Sequence, residues 1–282
     1  MDRVLALAAR TRADLVLAND PDADRLCVAV PSGAGYQVLT GDQIGTLLAD
    51  YLLEVTPKDK RMVATTIVSS QLLGFLAKEY GADYRETLTG FKWIGNAAME
   101  YEATKHGRFV MGYEEALGYS IGPLVRDKDG VSACVLFAEL TAWNRARGKT
   151  VRDHLDDIYR KVGLFVTEQV SITKPGIEGM VAIKAAMAKF RASPPTELAA
   201  HAVETVADLA KGEGGLPPSD VLVFKLAGGR RVIMRPSGTE PKLKSYYEVR
   251  AVVKAGEPMA EARQRGLADL AKLRDAHQAL LA

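Results

Sequence analysis

Asp20-Pro21-Asp22-Ala23-Asp24-Arg25 sets three carboxylates at alternate positions of one short polar stretch. In extended chain, side chains at i, i+2 and i+4 share a face, so the three can converge on one point. Hard oxygen donors of this kind suit Mg2+ or Ca2+, and gathering three like charges away from water without a cation is costly. A calcium hand would need glycine where Arg25 stands and glutamate where Pro31 stands, so that reading fails. The competing reading is a solvated acidic turn.

Three further stretches carry chemistry. In Thr89-Gly90-Phe91-Lys92-Trp93-Ile94-Gly95, the glycines permit unusual backbone angles and Lys92 offers a mobile cation or a proton. A lysine beside a glycine is also an ordinary solvated residue. In Gly112-Tyr113-Glu114-Glu115-Ala116-Leu117-Gly118-Tyr119, two adjacent carboxylates could accept hydrogen bonds from sugar hydroxyls. Sequence neighbours diverge in direction, so one is expected to bind ligand and the other to form a structural pair or face water. Arg235-Pro236-Ser237-Gly238-Thr239-Glu240-Pro241-Lys242 supplies a guanidinium, hydroxyls and backbone amides suited to a phosphate, or else a plain hairpin turn. The acidic members of Arg126-Asp127-Lys128-Asp129-Gly130 are explained as helix caps.

The elements that must position these stretches follow from hydrophobic patterning. Apolar runs at 15–18 and 26–30 predict two buried strands flanking the aspartate loop, and Gly41-Asp42 is expected to cap a helix over 43–54. Strands at 62–68, 84–88 and 109–113 alternate with helices at 71–80 and 94–105, and helices at 131–147 and 151–162 follow. Such alternation predicts an α/β layer domain. From 165 onward, runs at 221–224, 231–234 and 244–253 predict an antiparallel sheet, with a final helix over 258–281.

At 282 residues and a formal net charge of +2, with both signs interspersed, the chain suits one large or two to three small domains. Composition gives no reason to expect nucleic-acid binding, and no apolar stretch is long enough to span a bilayer. Cys27 and Cys134 lie in apolar surroundings and read as small core side chains, which fits a cytoplasmic location.

Taken in this order, the four stretches resemble the α-D-phosphohexomutase superfamily of phosphoglucomutase and phosphomannomutase. Glu114-Glu115-Ala116-Leu117-Gly118 and Asp127-Lys128-Asp129-Gly130-Val131-Ser132-Ala133 look most like its phosphoglucomutase/phosphopentomutase branch. The resemblance implies mixed-sheet α/β architecture followed by a smaller α+β C-terminal domain. It divides the chain into 1–58, the end of a second domain with the metal loop; 59–164, a sugar-binding third domain; and 165–282, a phosphate-binding fourth. It further implies that Asp20, Asp22 and Asp24 hold Mg2+, that Arg25 lies beside a phosphoserine, and that Lys92 transfers a proton in the sugar-binding loop with Gly90. Glu114 would hold sugar hydroxyls, and Arg235, Ser237, Gly238 and Thr239 the non-reacting phosphate.

The implied reaction moves a phosphoryl group between sugar 1-phosphate and 6-phosphate (or pentose 5-phosphate) through a sugar bisphosphate. Two departures bear on it. Many relatives have Glu-x-Ser where Glu114-Glu115-Ala116 stands, which removes one hydroxyl contact, and no Thr-x-Ser-His-Asn-Pro-like loop occurs in these residues. The expectation is therefore a truncated form, inactive alone. The alternative is a sugar-phosphate-binding fragment or subunit that complements a separate N-terminal half, or one that forms a homo-oligomer.

Overall fold

The computed structural model describes residues 1–281 other than Pro175, Thr239 and the side chain of Ile177. The chain divides into two compact units, Met1–Val162 and Gly163–Ala282.

The first unit opens with a helix that the hydrophobic pattern did not announce, α1 (Asp2–Thr11). Val4, Leu5 and Ala8 on it pack against Val16 and Ala29. Those two belong to β1 (Val16–Asn19) and β2 (Leu26–Ser32), which with β3 (Gly35–Val38) form an antiparallel sheet in the order β1-β2-β3. Asn19 lies opposite Leu26, so the aspartate loop closes this strand pair.

The next helix, α2 (Gly41–Val55), starts two residues before the expected point because Thr40 is the cap. Its hydroxyl accepts from Gln43 N–H at 3.3 Å while Gln43 Oε1 accepts from Thr40 N–H at 3.0 Å, a reciprocal pair that satisfies two helix-end donors. Asp42 is instead buried, accepting from Ser70 N–H at 2.7 Å.

There follow β4 (Arg61–Thr66), α3 (Leu72–Glu79), β5 (Asp83–Thr87), α4 (Phe91–Lys105), β6 (Arg108–Glu114), β7 (Gly118–Ile121), α5 (Gly130–Ala146) and α6 (Val151–Val162). Their sheet has the order β5-β4-β6-β7. The first two pairings are parallel and the last is an antiparallel hairpin, so the sheet is mixed. Central β4 is buried at every position, as a strand covered on both faces must be. β7 is too short, at four residues, to show alternation in the sequence.

The second unit is a six-stranded antiparallel sheet. It is built from β8 (Leu164–Thr173), α7 (Gly176–Ala192), β9 (Glu197–Leu198), β10 (His201–Asp208), β11 (Leu222–Leu226), β12 (Arg230–Pro236), β13 (Lys242–Ala251) and α8 (Met259–Ala279). The strand order is β8-β13-β12-β11-β10-β9. Ile183, Met187 and Phe190 of α7 and Leu270 and Leu273 of α8 join Phe224, Val232, Met234, Tyr247 and Val249 in one core. Among the described residues, no helix is long and apolar enough to cross a membrane.

Candidate functional site

The aspartate loop is a turn, not the extended run that the alternating spacing suggested. Ala23 N–H donates to Asp20 O at 3.0 Å, and Ala23 takes a left-handed φ of 58°. This folding back brings a carboxylate oxygen from each of Asp20, Asp22 and Asp24 within 4.8 Å of one another. Three hard, anionic oxygen donors at that spacing fit a magnesium-class cation. Arg25 is tied to the same group: its N–H donates to Asp20 Oδ1 at 3.1 Å, and its Nε lies 3.8 Å from both Asp20 and Asp24.

The loop is held from behind by close backbone packing. Asn19 Nδ2 donates to Arg25 O at 2.5 Å, and Gly130 N–H donates to Ala23 O at 3.1 Å. A Cβ on Gly130 would lie 2.4 Å from Arg25 O, so only glycine fits there. Arg25 also forms a β-bridge to Gly118, and Leu26 N–H donates to Leu117 O at 3.1 Å. The β6–β7 turn is therefore joined directly to the aspartate loop.

At that turn the two glutamates part as their adjacency implied. Glu115 Oε2 accepts from Ser69 Oγ at 3.0 Å, a structural pair. Glu114 Oε1 accepts from Gly90 N–H at 2.5 Å, which fastens the glycine loop to the turn. Gly90 needs to be glycine, since its φ of 113° and ψ of 128° lie where side chains clash. Leu117 has a φ of 67°, strain of about 1 kcal/mol or more for a branched side chain, which the surrounding hydrogen bonds must hold.

Lys92 is not in the loop. α4 begins at Phe91 rather than 94, which places Lys92 in the first helical turn, exposed, with its Nζ 5.1 Å from the Trp93 ring centroid. The helix starts early because Gly90 supplies the reversal that lets Phe91 enter the core.

Lys128 joins the site without having been expected there. Asp129 does cap α5, accepting from Val131 N–H at 3.0 Å and Ser132 N–H at 3.3 Å. Its neighbour Lys128 instead reaches Asp24 Oδ2 at 2.9 Å and lies over the Phe91 ring at 5.5 Å. Burial pulls its pKa down, but hydrogen bonds to Asp24 and Asp127 outweigh this and the ammonium is held more firmly protonated than usual. A lone lysine inside an acidic cap, which the capping role leaves unexplained, was the available signal. The two cysteines are half-buried rather than core residues, and Cys134 Sγ faces Asn19 Oδ1 at 3.3 Å.

Arg235, Ser237 and Gly238 belong to the second unit, at the hairpin between β12 and β13; Thr239 lies outside the described residues. Ser237 N–H donates to Lys242 O at 2.8 Å and Ser237 Oγ accepts from Glu240 N–H at 3.3 Å. Gly238 is exposed, with open space around its Cα. Lys244 stands directly across from Arg235, and Ser171 across from Lys244, so a row of cations and a hydroxyl crosses three strands. Strand register, invisible in the sequence, makes Lys244 part of this group.

Two family models match the chain: phosphoglucomutase/phosphomannomutase, alpha/beta/alpha domain III, over residues 40–162, and the C-terminal domain of the same family over 182–265. A Haemophilus influenzae protein named "Probable phosphomannomutase" is 39% identical over 252 residues, 89% of this chain and 49% of that protein. A Staphylococcus aureus (strain USA300) phosphoglucomutase is 35% identical over 262 residues, 88% of this chain and 47% of that protein. The chain thus spans about half the length of the curated relatives it matches. In fold it is similar to the Paramecium phosphoglucomutase parafusin, with a TM-score of 0.70 at 18% identity over 98% of this chain and 49% of that one.

Proposed function

This chain belongs to the phosphoglucomutase/phosphomannomutase family, and from that premise we propose that it forms the metal-, sugar- and distal-phosphate-binding parts of a phosphosugar mutase. The reaction is transfer of a phosphoryl group between the 1- and 6-positions of a sugar phosphate by way of a bisphosphate. The observation that carries this reading is the direct joining of the three-carboxylate loop, through Arg25 and Leu26, to the turn that holds Glu114 and Gly90.

Asp20, Asp22 and Asp24 would hold Mg2+, which when bound stabilises negative charge on a transferring phosphoryl group. Arg25, kept near the aspartates by its contacts to Asp20 and Asp24, orients a phosphoryl oxygen. Lys92, exposed in the first turn of α4, would move a proton to or from a sugar hydroxyl. Glu114 accepts from sugar hydroxyls with the capacity left after its bond to Gly90. Arg235 and Lys244, with Ser237, Gly238 and Thr239, hold the phosphate that is not reacting. That group must accept either phosphate of a reoriented bisphosphate, so charge and amides suit it better than sugar-reading side chains. The phosphoserine that begins the cycle comes from outside these residues.

Titration calorimetry with glucose 1,6-bisphosphate, with and without Mg2+, tests the reading. Asp22→Asn and Arg235→Ala should each weaken binding by about tenfold or more, the loss of a charge-assisted contact. Absence of binding by the unaltered chain under both conditions overturns the proposal.

A further inference from the structure

Ser69 lies just beyond β4, fully buried, and carries no role in the chemistry described above. Its hydroxyl donates to Glu115 Oε2 at 3.0 Å and accepts from Glu115 N–H at 3.0 Å. A third contact, at 2.8 Å, joins it to the buried Thr66 hydroxyl. A serine hydroxyl has one proton and two lone pairs. With the proton on Glu115, Thr66 must be the donor. Glu115 is thus gripped at its main chain and its side chain by one hydroxyl anchored beside the central strand.

That grip fixes a turn under several constraints. Leu117 is held at positive φ, and the carbonyl of Glu115 packs so tightly on α2 that a Cβ at Gly41 would come within 2.0 Å of it. The same turn carries Glu114 to Gly90 and meets the aspartate loop at Gly118. We propose that Ser69 is a positioning residue for the sugar-binding turn, acting through Glu115 to set the orientation of Glu114. This rests on the reading of Glu114 as the acceptor for sugar hydroxyls. Glu115, on this account, is an anchor and not a ligand.

The test compares the affinity of the full chain for glucose 1,6-bisphosphate with its affinity for inorganic phosphate, in the presence of Mg2+. Ser69→Ala should weaken the sugar bisphosphate by about two- to tenfold, the worth of an ordinary hydrogen bond. It should leave inorganic phosphate unchanged and shift the Gly90 amide resonance upfield. If the unaltered chain shows no preference for the sugar bisphosphate, the sugar-site reading of Glu114 falls and this inference with it. If the preference exists and Ser69→Ala keeps both it and the Gly90 resonance, the role of Ser69 alone is overturned. Should Ser69→Ala not fold, the partly exposed partner decides: Glu115→Ala should lose the preference, and Glu115→Gln, which keeps an acceptor for Ser69, should retain it. Equal loss in both would mean that Glu115 acts by its charge on the ligand, against the proposal.

Discussion

Gly90 donates its main-chain N–H to the Glu114 carboxylate at 2.5 Å, joining the start of α4 to the end of β6. One side chain thereby sets the entry to a helix and the edge of the sugar site proposed above. Glu114→Ala should weaken glucose 1,6-bisphosphate binding and also loosen the Gly90 loop, a combined loss of about 1.5–3 kcal/mol for hydrogen bonds to a charged group. Calorimetry reports the first effect and amide hydrogen exchange at Gly90 the second. Unchanged exchange would show that the loop does not depend on this bond.

Lys128 places a positive charge 2.9 Å from Asp24, inside the group assigned to the cation. Deleting that charge should make the loop a stronger cation site. Lys128→Met is expected to raise Mg2+ affinity by about tenfold or more, since a unit charge about 5 Å from a divalent ion costs about 1.7 kcal/mol even at the dielectric of bulk water. Asp22→Asn should do the reverse, and chelation of Mg2+ should lower the melting temperature of the unaltered chain but not that of Asp22→Asn. Mg2+ affinity that falls in Lys128→Met would mean that the ammonium supports the site rather than opposing it.

Arg61 is a buried guanidinium that closes two helices at once. Nη1 donates to Leu53 O at 2.7 Å and Thr56 O at 3.3 Å at the end of α2, and Nη2 donates to Tyr80 O at 3.2 Å at the end of α3. The charge also lies where the helix dipoles are negative. Arg61→Met keeps the bulk but strands these carbonyls, so a loss of roughly 3 kcal/mol in chemical denaturation is expected.

His277 of α8 is fully buried beside Tyr247 and Phe190, with Nδ1 paired to Tyr247 Oη at 2.8 Å and Nε2 without a partner among the described residues. Burial pushes its pKa from the ordinary 6.5 down to about 4. Above pH 6.5 the ring is neutral folded or unfolded, and stability is unaffected by it. As pH falls from 6.5 to about 4, the unfolded chain takes up a proton that the native core refuses. Over that window the second unit should lose about 3 kcal/mol, because each tenfold difference in proton affinity between the folded and unfolded ring is worth about 1.4 kcal/mol. His277→Phe should flatten this part of the profile, as read by denaturation between about pH 7 and pH 4. An equal slope in the variant would assign the loss to other groups.

Much of the architecture was legible in the residue pattern. The runs flanking the aspartate loop became β1 and β2, the alternation after residue 60 became the parallel part of the mixed sheet, and the late apolar runs became the antiparallel sheet. These features are local, written in which side chains avoid water and at what period. α1 and β7 were not legible: the one is held by packing of Ala8 on Val16 and Ala29, the other by pairing with β6. Both depend on contacts that a local hydrophobic period does not encode.

Three aspartates, two glutamates, a lysine and an arginine-serine-glycine turn could be named from residue type and spacing alone, because hard donors, mobile cations and amide-rich turns are properties of the residues themselves. How they meet could not. The aspartates converge through the left-handed turn at Ala23 rather than by strand alternation, Lys128 joins Asp24 from 104 positions away in numbering, and Lys244 joins Arg235 only through strand register. Sequence determines what each side chain is able to do; which of them act on the same atom is decided by non-local packing, where glycines at 90 and 130 let separate segments approach to hydrogen-bonding distance.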